Sequence, residues 1–273
     1  MFLEIIKSVI LGIVQGITEW LPISSTGHMI LVNEFLNLNF SPEYVDLFMV
    51  VIQFGSILAV ITMYFHRLNP FSPKKSKLER SQTINMWLKV MVAVVPAAII
   101  GLKFDDTITT YCYNGFVVAA ALIVYGILFI KAENRSRTVY ISEISQISYK
   151  EALAVGFFQM LALIPGTSRS GATILGAMFL GFSRETAAEF SFFLAVPVML
   201  GASALKIVKY VIGGGLLGGS EIIVLLAGMI TAYAVSVIVI KFFISYIKKH
   251  SFAVFGYYRI IIGAAVMLYF MFK

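Results

Sequence analysis

Two stretches decide how this chain folds: GIVQGITEWLPISSTGHMI, Gly12 to Ile30, and GFFQMLALIPGTSRSGATI, Gly156 to Ile174. Set side by side without a gap, they agree at Gly12 and Gly156, Gln15 and Gln159, Ser24 and Ser168, Gly27 and Gly171, and Ile30 and Ile174. Thr26 stands opposite Ser170. Each stretch starts as an apolar helix, meets a proline (Pro22, Pro165) and resumes after a run of hydroxyls. Proline lacks a backbone donor and disfavours the helical conformation of the residue before it, so both incoming helices should stop there. The hydroxyls that follow can cap the next helix.

Around these interruptions the chain is apolar enough for a bilayer. Of its 273 residues 59% are hydrophobic and 13% charged, against roughly 25% charged in an ordinary soluble domain. Six runs approach the roughly 20 residues needed to cross a hydrocarbon core: 46–65, 86–104, 115–131, 187–208, 221–244 and 252–272. Residues 1–37 and 149–182 are apolar but too interrupted for simple crossings. Each reads as a re-entrant helix–loop–helix, because non-helical backbone at membrane depth must be buried in protein or face a water-filled cavity. The expected fold is an all-α polytopic membrane protein of two repeats, 1–133 and 149–273, joined by a cytoplasmic linker at 134–148. Each repeat holds one re-entrant pair and three spans. Three is odd, so the repeats should have inverted topology, which puts a site near the midplane at their interface.

Charge sets the expected orientation. The loop after the first span carries Arg67, Lys74, Lys75, Lys77 and Arg80; the linker carries Lys131, Arg135, Arg137 and Lys150; the loop after the fifth span carries Lys248 and Lys249. All fall on one side, which should be cytoplasmic. The other side has Asp105 and Asp106 in a short loop, with Lys206 and Lys209 as its few basic residues. Both termini are then external, and the first re-entrant pair enters from outside. The net charge of +7 reads as this orientation signal and as attraction to anionic membrane lipid; no nucleic-acid partner is expected. No cleavable signal peptide is expected, since Glu4, Lys7, Gln15 and Glu19 break the N-terminal run. The single Cys112 excludes an intramolecular disulfide. His28, His66 and His250 are too scattered for a histidine metal site.

The chemistry-bearing residues cluster at the breaks. Gln15 and Glu19, four apart, share a helix face. A carboxylate inside a membrane segment is costly and marks function by default; Glu19 could hold a divalent cation or accept a proton, or simply bond to backbone at the break. Ser24, Ser25, Thr26 and Gly27 open a helix whose free N–H groups can bind phosphate. His28 lies one turn after Ser25, which suggests a nucleophile–base pair. Arg169 adds a fork suited to phosphate oxygens, with Thr167, Ser168, Ser170, Gly171 and Thr173 around it, unless it serves only as a packing partner for Glu19 or Glu189. Gln53, Gln159, Glu189 and Arg259 are candidates to support the site from behind; the first three could equally be helix–helix contacts, and Arg259 could snorkel. Lys103, Lys206 and Lys241 should snorkel.

Gln15-x-x-x-Glu19 with Pro22-x-Ser-Ser-Thr-Gly-His28, and Pro165-Gly-x-Ser-Arg-Ser-Gly-Ala-Thr173, resemble the motifs of the bacterial undecaprenyl-diphosphate phosphatases, the BacA-type enzymes. The resemblance extends to Gln53-Phe-Gly-Ser-Ile-Leu-Ala and to the stretch from Glu189 to Pro197. It implies an integral enzyme of the bacterial cytoplasmic membrane, its active site toward the outer face. The enzyme would convert undecaprenyl diphosphate to undecaprenyl phosphate, recycle the lipid carrier of peptidoglycan, and bear on bacitracin resistance. It also implies a divalent cation, Mg²⁺ or Ca²⁺, with Glu19 as ligand. The family has Glu or Gln at the first motif position; here it is Gln15, a further candidate ligand but no second carboxylate. Catalysis would rest on Glu19, Ser25, His28 and Arg169. Three nucleophiles stay open: Ser25 activated by His28, His28 itself, or water with His28 as base. A flippase or transporter of the same architecture, or a non-catalytic binder of anionic lipid, is the rival reading. The sequence also leaves a homodimer open.

Overall fold

The computed structural model describes residues 1–135 and 138–272; Arg137 of the linker and Lys273 lie outside them, as do the side chains of Asp105 and Asp106. Among the described residues eleven α-helices follow one another. They are α1 (Phe2–Thr18), α2 (Ser25–Leu36), α3 (Pro42–Met63), α4 (Phe65–Leu68), α5 (Lys77–Cys112), α6 (Gly115–Asn134), α7 (Tyr149–Met160), α8 (Arg169–Phe179), α9 (Arg184–Ile212), α10 (Gly219–Ile247) and α11 (Ala253–Phe272). Six of them, α3, α5, α6, α9, α10 and α11, are long and apolar enough to cross a membrane, and the chain is a multi-pass membrane protein.

Two expected loops are partly helical. The polar stretch after α3 contains α4 and the first turns of α5, because Ser76 and Glu79 form a capping box: Glu79 N–H donates to Ser76 Oγ at 3.3 Å and Ser76 N–H to Glu79 Oε2 at 2.7 Å. At its far end α5 runs through residues 105 and 106 to Cys112, so that the turn into α6 is only Tyr113-Asn114. The linker is pinned as well. Ile141, Ile144 and Ile147 are buried, and an isolated parallel bridge joins Ile141 to Phe182.

Neither α1 plus α2 nor α7 plus α8 crosses as one rod. Lys7 Nζ donates to Asn37 O at 2.9 Å, and Asn39 N–H to Glu4 Oε2 at 2.9 Å, so the chain leaves α2 beside the start of α1. After α8, Ser183 N–H donates to Ile141 O at 2.8 Å and Tyr140 N–H to Gly181 O at 2.9 Å, just ahead of α7. Packing between the halves is reciprocal: α1 lies along α10, α7 along α5, α6 along α11 and α3 along α9. The matched glycines explain how closely they approach. A Cβ on Gly12 would lie 2.6 Å from Gly228 O of α10, and one on Gly156 would lie 2.4 Å from Ala93 O of α5. Trp20, at the start of the first break, packs edge-on against Phe192 of α9 with centroids 5.1 Å apart. The main apolar core therefore sits directly beneath the breaks.

Candidate active site

Both breaks end in the same device. Ser24 and Ser168, the matched serines, hold φ of 76° and 74°, a left-handed conformation uncommon outside glycine. Each caps the helix it precedes: Gly27 N–H donates to Ser24 Oγ at 3.3 Å, and Gly171 N–H to Ser168 Oγ at 3.1 Å. Such strain persists where the surroundings over-determine it, and it clusters at functional sites. The next residues, Ser25 and Arg169, occupy the first positions of α2 and α8 and are carried to each other's side of one cavity.

That cavity has a volume of about 390 Å³ and is walled by Glu19, Ser24, Ser25, Thr26, Gln53, Gln159, Gly166, Ser168 and Arg169, among others. Its rim includes Asp46 at the start of α3, Tyr113 after α5, and Lys206 and Lys209 near the end of α9. These ends share one face of the molecule. The basic segment after α3 lies on the opposite face, where Arg67, Lys74, Lys75 and Lys89 line a separate cleft.

Glu19 is the hub. Its Oε1 accepts from Arg169 Nη2 at 2.9 Å, and its Oε2 accepts from Ser25 Oγ at 2.7 Å and Gln15 Nε2 at 2.9 Å. Arg169 uses its other terminal nitrogen to donate to Ser191 O at 2.8 Å and Ser191 Oγ at 3.3 Å, and its guanidinium lies 5.6 Å from the Trp20 ring. Four buried polar groups here have no hydrogen-bond partner: Gln15 Oε1, Trp20 Nε1, Arg169 Nε, and the amide of Gln159 at both its atoms. Gln159 is 2% exposed and lines the cavity.

Several expected residues point elsewhere. His28 does not pair with Ser25 and is absent from the cavity wall. Its Nδ1–H donates to Ser24 O at 2.8 Å, and in the neutral ring Nε2 accepts from the Tyr258 hydroxyl at 2.7 Å. One turn of helix brings positions 25 and 28 to neighbouring faces, but the imidazole turns outward to α11 while the hydroxyl turns inward to Glu19. Thr173 is 0% exposed; its hydroxyl bonds back to Arg169 O at 2.9 Å and pairs with Ser191 Oγ at 2.7 Å. Ser170 Oγ bonds Ser168 Oγ at 3.1 Å and Glu19 O at 3.1 Å, stitching the breaks together. Gly27, Thr167 and Gly171 are buried and outside the wall. Glu189 pairs with Arg67 on the opposite cleft, and not with Arg169. Arg259 does not snorkel: it is fully buried, with backbone carbonyls as its hydrogen-bond partners. Lys206 reaches the exposed rim as a snorkelling lysine would, and there pairs with Asp46.

Sequence reasoning missed Ser191, which anchors Arg169, and the Asp46–Lys206 pair. Ser191 gives no signal by composition, being one hydroxyl in an aromatic run. A charge at each of two span ends could have flagged the pair.

The donors at the hub suit a hard divalent cation as a partial set. Glu19 supplies one carboxylate, Gln15 Oε1 is a buried acceptor in want of a partner, and Ser25 adds a hydroxyl oxygen. Among the described residues no three His, Cys, Asp or Glu side chains gather. This fits an ion that takes one or two protein carboxylates and fills its remaining positions with water and substrate phosphates.

The chain has relatives over its whole length. It is 58% identical to "Undecaprenyl-diphosphatase 1" of Clostridioides difficile (strain 630), covering 98% of this chain and 97% of that protein. It is 55% identical to "Undecaprenyl-diphosphatase" of Enterococcus faecalis (strain ATCC 700802 / V583), covering 100% of both. It is 56% identical to the protein of that name from Acetivibrio thermocellus, covering 98% of each. The family model described as "Bacitracin resistance protein BacA" matches residues 8–265, and the chain therefore belongs to the BacA family.

Proposed function

We propose that this protein hydrolyses undecaprenyl diphosphate to undecaprenyl phosphate and orthophosphate, at the cavity shared by the two breaks. One observation carries the reading: a buried carboxylate accepts a 2.7 Å hydrogen bond from a serine hydroxyl and is held from its other oxygen by an arginine, all on the wall of one cavity. A serine beside a base is an activated nucleophile, and an arginine fork stabilises charge on a transferring phosphoryl group. Full-length relatives bearing the diphosphatase name support the same substrate.

Ser25 Oγ attacks the terminal phosphorus and passes its proton to Glu19. The bond to the bridging oxygen breaks, and undecaprenyl phosphate leaves. Water then attacks the phosphoserine and, with Glu19 returning the proton to Ser25, releases orthophosphate. Arg169 moves from Glu19 to the phosphoryl oxygens as these fill the cavity, while Ser191 keeps its guanidinium aligned. Thr26 and Ser168 at the wall add donors, and Gln159 offers an amide N–H. Mg²⁺ or Ca²⁺ held by Glu19 and Gln15 would neutralise diphosphate charge and ease departure of the leaving group.

The two halves are read as inverted repeats. The reciprocal packing of α1 on α10 and α7 on α5 and the odd number of spans per half support this. With the basic face cytoplasmic, the cavity opens to the outer side of the bacterial cytoplasmic membrane. With Cys112 replaced by serine, labelling of single cysteines at Tyr113 and Lys74 in intact cells by a membrane-impermeant thiol reagent tests this: only Tyr113→Cys should react.

The activity is tested with detergent-purified protein, undecaprenyl diphosphate and either cation. Phosphate release is expected, and Ser25→Ala or Glu19→Gln should lower it by at least about 10³-fold. Glutamine is the better probe at Glu19 because it keeps the side chain's size and an oxygen that can accept from Arg169, while removing the carboxylate as base. No release from wild-type protein with cation present would leave the carrier reading standing in its place.

A further inference from the structure

Arg259 sits in the N-terminal part of α11 with 0% exposure, and a cation buried within a membrane-spanning helix needs a reason. Its partners are carbonyls of the polypeptide backbone. Nη1 donates to Pro22 O at 2.9 Å; Nη2 donates to Gly166 O at 2.8 Å and Thr167 O at 2.9 Å. Longer contacts of 3.4 Å reach Ala121 O and Leu122 O of α6, and the Tyr125 ring centroid lies 5.5 Å from the guanidinium carbon. No ion pair among the described residues involves Arg259.

The nearer carbonyls it gathers lie in the two breaks, between α1 and α2 and between α7 and α8. Pro22 belongs to the break that presents Glu19 and Ser25; Gly166 and Thr167 belong to the break that presents Arg169. A guanidinium offers five N–H donors in a planar fork, so one side chain reaches both breaks and α6 together. The matched glycine of the second copy makes room for it, since a Cβ on Gly171 would come 3.2 Å from Nη1. Because a trans peptide sets C=O and N–H in opposite directions, pulling Thr167 O toward Arg259 turns the Ser168 N–H away from it, and Ser168 lines the cavity.

We propose that Arg259 is a positioning residue for the phosphatase reaction. It locks the Glu19–Ser25 break to the Arg169 break, and sets beneath both a positive charge that no protein carboxylate neutralises, which an entering diphosphate answers. This rests on the diphosphatase reading above.

Arg259→Lys and Arg259→Gln separate the two roles. Lysine keeps the charge but, as a point donor, cannot span both breaks. Its kcat should fall roughly 10- to 100-fold with KM little changed, as for a misplacement of about 1 Å between reacting groups. Glutamine loses the charge too, so its KM should rise further; inorganic pyrophosphate should raise the melting temperature of the wild type and leave that of Arg259→Gln unchanged. The proposal is overturned if either variant melts earlier yet keeps wild-type kcat and KM. It is also overturned if Arg259→Lys cannot fold at all, because the residue would then serve stability alone. If the wild type releases no phosphate, the diphosphatase reading fails. The pyrophosphate comparison then still decides whether Arg259 builds an anion site.

Discussion

The two helix breaks are copies in construction and opposites in use. Both end a helix a few residues ahead of a proline, α1 at Thr18 before Pro22 and α7 at Met160 before Pro165, hold a serine at positive φ, and cap the new helix with that serine's hydroxyl. At the very next position they part: Ser25 in one, Arg169 in the other. The first break sends its acid and hydroxyl into the cavity. The second sends in one arginine and turns Ser170 and Thr173 inward as braces. A shared scaffold thus delivers a hydroxyl and a guanidinium to the same carboxylate from two directions, and neither half alone could assemble the pair.

The sharpest way to break that division of labour is Arg169→Lys. The guanidinium spends one nitrogen on Ser191 and the other on Glu19, and an ammonium cannot hold both in that geometry. Loss of kcat/KM by about 10²–10³-fold is expected, on the scale of removing a single transition-state donor, read by phosphate release. Near-wild-type turnover would remove the fork from the mechanism.

The next tests ask whether the copies are equivalent as scaffold. Gly12→Ala and Gly156→Ala each drive a methyl group into backbone of the other half, at 2.6 Å from Gly228 O and 2.4 Å from Ala93 O. Both should destabilise the protein by about 1–3 kcal/mol, seen as earlier thermal unfolding in detergent. An effect confined to one would count against reciprocal packing. Ser24→Ala and Ser168→Ala each remove an N-cap, at about 1 kcal/mol. A similar loss of melting temperature in both would show that the caps are interchangeable even though their neighbours are not.

Much of the scaffold was legible because it depends on local chemistry. Prolines keep a helix from running through, although α1 and α7 already end at Thr18 and Met160, ahead of Pro22 and Pro165; serines cap the next helix, and two stretches that align without a gap build two similar turns. What stayed hidden depends on neighbours far along the chain. Whether Thr173 faces a ligand or a serine on α9 is settled by Ser191, and whether Arg259 snorkels or braces is settled by Pro22, Gly166 and Thr167. The extension of α5 to Cys112 escaped for a different reason: two consecutive aspartates mark the end of an apolar run, but hydropathy measures where a helix leaves the bilayer, not where it unwinds.

His28 is the smallest effect expected and the most telling about that lesson. Spacing alone pairs it with Ser25, and a histidine near a serine invites a general base. The structure gives its Nδ1 to Ser24 O, its Nε2 to Tyr258, and the Ser25 proton to Glu19. The imidazole rings α2 to α11 on the far side of the cap; its face is stacked near Tyr258 with an interplanar angle of 7°. His28→Gln should therefore change turnover by less than about tenfold, whereas a lost general base costs about 10²–10⁴-fold. Tyr258→Phe should have no larger effect, since it removes only one of the two hydrogen bonds of His28. If His28→Gln falls in the larger range while Tyr258→Phe does not, imidazole reaches the phosphoryl group during turnover. The division of labour would then need a third member on the first break.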